Sequence, residues 1–170
     1  MSPETPRWPP LNEEGRLVWP ADHDERVFLA RRLLGQALVD TMDYYIKEAT
    51  DFASNPTADR HFEIENYLSC TDRAYRGCFA SMASKQREIT LHLIRQLVSG
   101  VLVSSLTRLD QFGLAEVRIS LVGHDRDGQP FDVPITSPEA ELAGQFVECM
   151  EEFSEYATQL TDDLKLPPSL

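Results

Sequence analysis

Glu88 and His92 stand four residues apart in a stretch of helical period, and His61 and Glu65 do likewise. At 3.6 residues per turn each pair shares one helix face and could offer two ligands to a metal ion. Two are too few. Zinc takes three or four ligands, and di-iron bundles use a Glu-x-x-His spacing. Neither that spacing nor H-E-x-x-H occurs. The four histidines, His23, His61, His92 and His124, fall in four different stretches. Both pairs therefore read as surface pairs, and no metal is expected.

The run His124-Asp125-Arg126-Asp127-Gly128, with Asp132 beyond it, has the composition of a calcium loop. A helix–loop–helix calcium site needs glycine sixth and a bidentate glutamate twelfth. Counted from Asp125, glycine is fourth and Thr136 is twelfth. Asp and Gly are also what a tight turn requires, and a turn is the reading taken. No nucleophile elbow, phosphate loop, dinucleotide fingerprint or kinase signature is present, so no catalytic residue is assigned and no cofactor is expected. The enzymatic alternative is a small His/carboxylate site inside a helical bundle, such as His92 with Glu88.

Three cysteines, Cys70, Cys78 and Cys149, make no C-x-x-C pair and are odd in number, as expected of reduced thiols in a cytoplasm. Cys78 and Cys149 fall on apolar stripes and are expected to pack as small hydrophobes. Thirteen arginines against three lysines hint at a GC-rich, bacterial genome. A net charge of −12 over 170 residues disfavours nucleic acid, whose phosphates such a surface repels. No uninterrupted apolar run approaches the roughly 20 residues of a membrane span, so no membrane is expected.

The strongest signal is acidic. Residues 139–164 supply −8 of the net charge and contain no Lys or Arg: Glu139, Glu141, Glu148, Glu151, Glu152, Glu155, Asp162 and Asp163. Leu142, Phe146, Met150, Phe153, Ala157, Leu160 and Leu164 recur between them at steps of three and four, one face of an amphipathic helix. Such a helix is a solvated face, a docking surface for a basic protein, or a stripe shared between two copies. Glu148, Glu151, Glu152 and Glu155, with Asp125 and Asp127 of the turn, are the residues expected to bind a partner.

The elements that would position these groups follow from the same periodicities. Residues 1–20 are proline-rich and should form an extended arm, with Trp19 docked on the body and 16–19 able to form a short strand. Asp22, followed by Glu25, opens a first helix that Asn55-Pro56 ends. Apolar period then continues over 57–112, a rod of about 80 Å that no domain of this size accommodates. A break is required, first at residues 84–87 and second at 69–72. Residues 88–112 are apolar nearly all round and read as a central core helix. The period then drops to two over 115–136, a β-hairpin in which Pro130 and Pro134, sharing one parity, must turn their missing N–H side away from the partner strand. Ser137-Pro138 starts the acidic helix.

The expected fold is α+β and mostly helical: about four helices around a central apolar helix (88–112), with one β-hairpin (115–136) before an acidic C-terminal helix. Residues 1–20 form the arm, 21–165 one globular domain and 166–170 a short tail. The order of core helix, hairpin and acidic helix is loosely similar to small bacterial immunity proteins and antitoxins. That resemblance implies a protein that neutralises a toxin by covering its cationic surface. The function expected is a small acidic cytoplasmic protein that binds a basic protein; the alternatives are the small enzyme above and a homodimeric scaffold.

Overall fold

Asp22 opens the first helix as its sequence position predicts. Its carboxylate accepts the backbone N–H groups of Asp24 and Glu25 at 2.9 and 3.0 Å, satisfying two donors that a helix start leaves unpaired. Helix α1 then runs over His23–Ser54 and ends before Asn55-Pro56. The computed structural model describes residues 11–13, 17–57, 67–111, 119–124, 128–136 and 141–163; of 67–69 and 161–163 it describes the backbone alone. The remaining elements are α2 (Tyr67–Ser81), α3 (Ser84–Asp110), β1 (Ser120–His124), β2 (Pro130–Pro134), α4 (Leu142–Phe153) and α5 (Ala157–Asp163). The fold is mostly helical, with a two-stranded antiparallel hairpin and a long apolar helix midway along the chain.

The long apolar stretch breaks at Met82–Ala83, immediately before the polar patch that the sequence singles out. The patch does not interrupt a helix; it starts one. The Gln86 side chain reaches back to accept the Ala83 N–H at 2.8 Å, half of a capping box. Arg87 Nε donates to the Met82 carbonyl at 3.1 Å and closes the junction.

In the hairpin Leu121 pairs with Val133 and Gly123 with Phe131, while Ser120 and His124 oppose Pro134 and Pro130. The Ile135 N–H donates to the Ile119 carbonyl at 2.8 Å, so the odd-numbered residues carry the ladder bonds. The prolines occupy the alternate positions, as their parity predicts. Gly128 in the turn has φ 77°, a conformation that costs glycine nothing. Trp19 packs on the Phe131 ring at 4.8 Å, and Arg26 lies over the same ring while its Nε donates to the Pro20 carbonyl. The arm is therefore docked near Trp19. It does not extend the hairpin: Leu17 bridges to Leu11 instead.

Contacts cluster in two compact units, one of residues 1–38 and 103–150, the other of 39–102 and 151–170. In the first, Leu29, Ala30, Leu106, Val133, Ile135, Leu142, Phe146 and Cys149 are buried, and Arg31 Nε donates to the Ile135 carbonyl at 2.9 Å. In the second, the buried apolar residues are Val39, Met42, Ile46, Ala49, Ala53, Phe79 and Leu160. Two expectations are corrected. The helix α3 does not supply the core: Leu106 is its one buried residue, because the described structure covers only one side of a helix that is apolar nearly all round. Cys78 is exposed, as is Cys70, and only Cys149 packs as a hydrophobe.

The acidic segment is not one continuous helix. It is helical over Leu142–Phe153, breaks at residues 154–156, and resumes as α5. Ser154 is the reason: its hydroxyl accepts the Tyr156 N–H at 3.0 Å, giving the backbone a partner other than the helix ladder. At the other end, Asp110 accepts the N–H groups of Leu142 and Ala143, both at 3.1 Å, and caps α4 from 32 residues away.

Helices α1 and α4 meet where Gly35 faces Cys149, and a Cβ built on Gly35 would overlap the thiol. Gly35→Ala should destabilise the protein by about 1–3 kcal/mol in urea denaturation, since a close-packed contact has no room for a methyl. Adding Cys149→Ala should recover part of that loss; a purely additive double variant would show that the two residues do not share the contact.

Candidate functional site

On α4 the apolar and acidic residues separate as the sequence implies. Leu142, Phe146 and Cys149 are buried, and Phe146 is 1% exposed. Glu148, Glu151 and Glu152 are exposed; at offsets of three and four they fall on one helix face. Glu155 is exposed one turn further on, in the bend after Ser154. Asp125 and Asp127, expected to contribute from the hairpin turn, lie outside the described residues, as do Glu139 and the His61/Glu65 pair. Glu88 is exposed and His92 half-buried on α3. Among the described residues no three His, Cys, Asp or Glu side chains come together as a metal site.

The bend that places Glu155 is held from α1. Asp43 accepts the Ser154 hydroxyl at 2.6 Å and the Glu155 N–H at 2.7 Å. Burial raises the Tyr156 phenol above its ordinary pKa, and the charges of Glu155 and Asp43 push the same way.

A second polar centre was missed by sequence reasoning. Arg76 on α2 is 4% exposed and Asp72, one turn before it, 6%. Arg76 Nε donates to Asp72 at 2.9 Å, Nη1 to the Asn55 carbonyl at 2.7 Å, and Nη2 to Asp51 near the end of α1. The guanidinium also lies 5.1 Å over the Phe52 ring, which meets Tyr75 at 5.7 Å. Burial by itself would lower the Arg76 pKa; the hydrogen bonds and charges of Asp51 and Asp72 outweigh it, so the pKa is raised and the cation fixed. The spacing of Asp72 and Arg76 was the available signal, but an i,i+4 acid–base pair reads as a surface pair until burial is known. Each of the three guanidinium nitrogens donates to an acceptor of the chain, which makes this a joint between α1 and α2.

The first unit contains a shallow cleft of about 230 Å³, much of it open to solvent, lined by Arg31, Leu34, Leu38, Gln145 and Phe146 among others. Its enclosed part is about 10 Å³, room for about one water molecule. No protein-family model, curated protein or solved structure matches the chain.

Arg76→Met should cost about 3–5 kcal/mol in chemical denaturation, because it leaves two carboxylates facing each other without their cation. The double variant with Asp72→Leu should lose less than the single one. Tyr156 makes a prediction about pH. A phenol whose folded pKa is raised has no effect on stability while both states keep its proton; as pH rises from the unfolded value near 10 through the folded pKa the unfolded state ionises first and stability falls. Tyr156→Phe should therefore flatten the fall in melting temperature above pH 10 and leave the neutral range unchanged.

Proposed function

We propose that the protein is a small acidic binding protein of the cytoplasm that docks a basic protein through the glutamate face of α4. One observation carries the reading: Glu148, Glu151 and Glu152 are exposed on a helix whose opposite side, Leu142, Phe146 and Cys149, is buried. Burial of that side fixes the helix and so fixes the direction of the carboxylates. Glu155 joins them through the Asp43-held bend, and the Asp125/Asp127 turn is a second contact in the same proposal. An immunity protein or antitoxin that covers a cationic toxin surface is one concrete form.

The physical chemistry suits fast, selective encounter. Like charges within two helical turns raise the local potential, attract a cationic surface before contact and repel acidic competitors. Each exposed pair contributes little, about 0.2–1 kcal/mol, so affinity has to come from several pairs acting together.

The test uses the whole chain as bait in native lysate beside the triple variant Glu148→Lys, Glu151→Lys, Glu152→Lys. All three positions are exposed, and circular dichroism and melting temperature check that the fold survives. A basic protein should be retained by the native chain at low salt, released at about 0.5 M salt by screening, and lost by the variant. Titration of that protein, once purified, should show affinity weakened by about 10- to 100-fold. Equal retention by both baits would refute the glutamate face as the docking surface.

A further inference from the structure

Helix α3 turns outward the side chains that a soluble protein ordinarily hides. Ile89, Leu93, Leu97 and Val101, each four residues from the last, are 54, 51, 55 and 61% exposed. Gln96, Ser104 and Ser105 are exposed beside them. At 100° per residue, Ile89, Leu93, Gln96, Leu97, Gly100, Val101, Ser104 and Ser105 make one continuous face. That face holds no carboxylate, in a chain with 28 acidic side chains; Arg87 and Arg108 are its charged residues, one toward each end. Contiguous apolar surface of this kind marks a contact site.

We infer that this face pairs with the same face of a second copy, the two α3 helices antiparallel. Size and charge both favour that occupant. The N-terminal half of the face is bulky, with Ile89 and Leu93, and the C-terminal half is small, with Gly100 and Ser104. A Cβ built on Gly100 meets nothing within 4 Å, so the small half is open space. Antiparallel pairing centred near Leu97 sets Leu93 over Gly100 of the second copy and Ile89 over its Ser104. All four lie on the same edge of the face, where a two-fold axis brings them together. Parallel pairing would set bulk on bulk and leave a gap at the glycines. The lack of carboxylates matters because two chains of −12 repel, and this is a face they can bring together without burying a carboxylate.

A membrane fits the face less well. The helix is long and apolar enough to cross a membrane by length and composition. Its other side, however, carries Arg95 and His92, both half-buried, and the protein's net charge opposes approach to anionic lipid.

From Ile89 to Ser105 the face extends about 24 Å at 1.5 Å per residue. Half the circumference of a helix about 10 Å across then gives about 750 Å² over both copies, below the roughly 1,200 Å² of stable interfaces. The dimer is accordingly a weak, reversible one.

Sedimentation equilibrium of the whole chain from 1 to 200 μM tests this. The expected result is a monomer–dimer equilibrium between 19.3 kDa and twice that mass. Raising salt from 0.05 to 0.5 M should tighten it or leave it unchanged, since salt screens repulsion between like-charged chains. Docking of a basic protein on α4 responds in the opposite direction, so either idea can fail without the other. Leu97→Glu and Gly100→Leu should each weaken the dimer at least tenfold. Both positions are exposed or open, so melting temperature checks that the fold survives. With Cys70→Ser and Cys78→Ser as background, mixing a Leu93→Cys chain with a Gly100→Cys chain should give a disulfide-linked heterodimer under mild oxidation. A monomer at every concentration, a dimer indifferent to both variants, cross-linking of each cysteine variant only with itself, or a monomer that sediments with phosphatidylcholine vesicles would each overturn the inference.

Discussion

The buried stripe of α1 is the constraint on which the other elements depend. Among the described residues seven of the fifteen buried apolar ones lie on it, from Leu29 and Ala30 to Ala49 and Ala53, so this helix contributes to the core of each unit. Four of its positions there are Gly or Ala, counting Gly35, and small side chains bring neighbouring backbones close enough for polar side chains of the helix to reach them. The reach is visible along the helix. Arg31 holds the Ile135 carbonyl after β2, Asp43 holds the bend before α5, and Asp51 holds Arg76 on α2. Each anchor joins residues more than twenty positions apart and so offsets chain entropy that local propensity could not. Were α1 displaced, all three would be lost.

Aspartate and glutamate serve different ends in this chain. Asp22, Asp43, Asp51, Asp72 and Asp110 bind backbone N–H groups, Ser154 or Arg76. A short carboxylate loses little rotamer freedom when it caps or clamps, and a bond from an ionised acceptor is about twice as strong as a neutral one. The glutamates of α4 are left outside on longer stems. These five aspartates therefore serve structure, while Glu148, Glu151 and Glu152 lie exposed on α4.

Much of this was legible in the residues. Asp22 and Asn55-Pro56 marked the limits of α1 because capping and proline sterics are local, and the parity of Pro130 and Pro134 gave the hairpin's pairing because a missing N–H is an intrinsic property. Patterns that depend on neighbours were not legible. The all-round apolar character of α3 suggested a core helix, yet periodicity records which residues are apolar and not what lies over them. The break at Ser154 and the start of α4 at Leu142 both depend on carboxylates from other helices, Asp43 and Asp110, which no local window contains. The charged residues divide along the same line. Exposure of Glu148, Glu151 and Glu152 followed from amphipathic spacing, whereas Glu155 lies in a bend that the spacing did not show, and the buried Asp51–Arg76–Asp72 joint needed two helices brought together before it could be seen.

The carboxylate-free face of α3 and the acidic surplus act together on how chains associate. A stripe of four exposed aliphatic residues would drive indiscriminate association in a neutral protein. Here any two chains approaching in an arbitrary orientation bring excess carboxylates together, and the repulsion grows with each one that loses water. Only an approach that puts carboxylate-free surface against carboxylate-free surface escapes that penalty. The charge therefore does more than keep the protein dissolved. It removes most of the orientations in which α3 could be covered, and leaves the choice among the rest to the fit of Ile89 and Leu93 against Gly100 and Ser104.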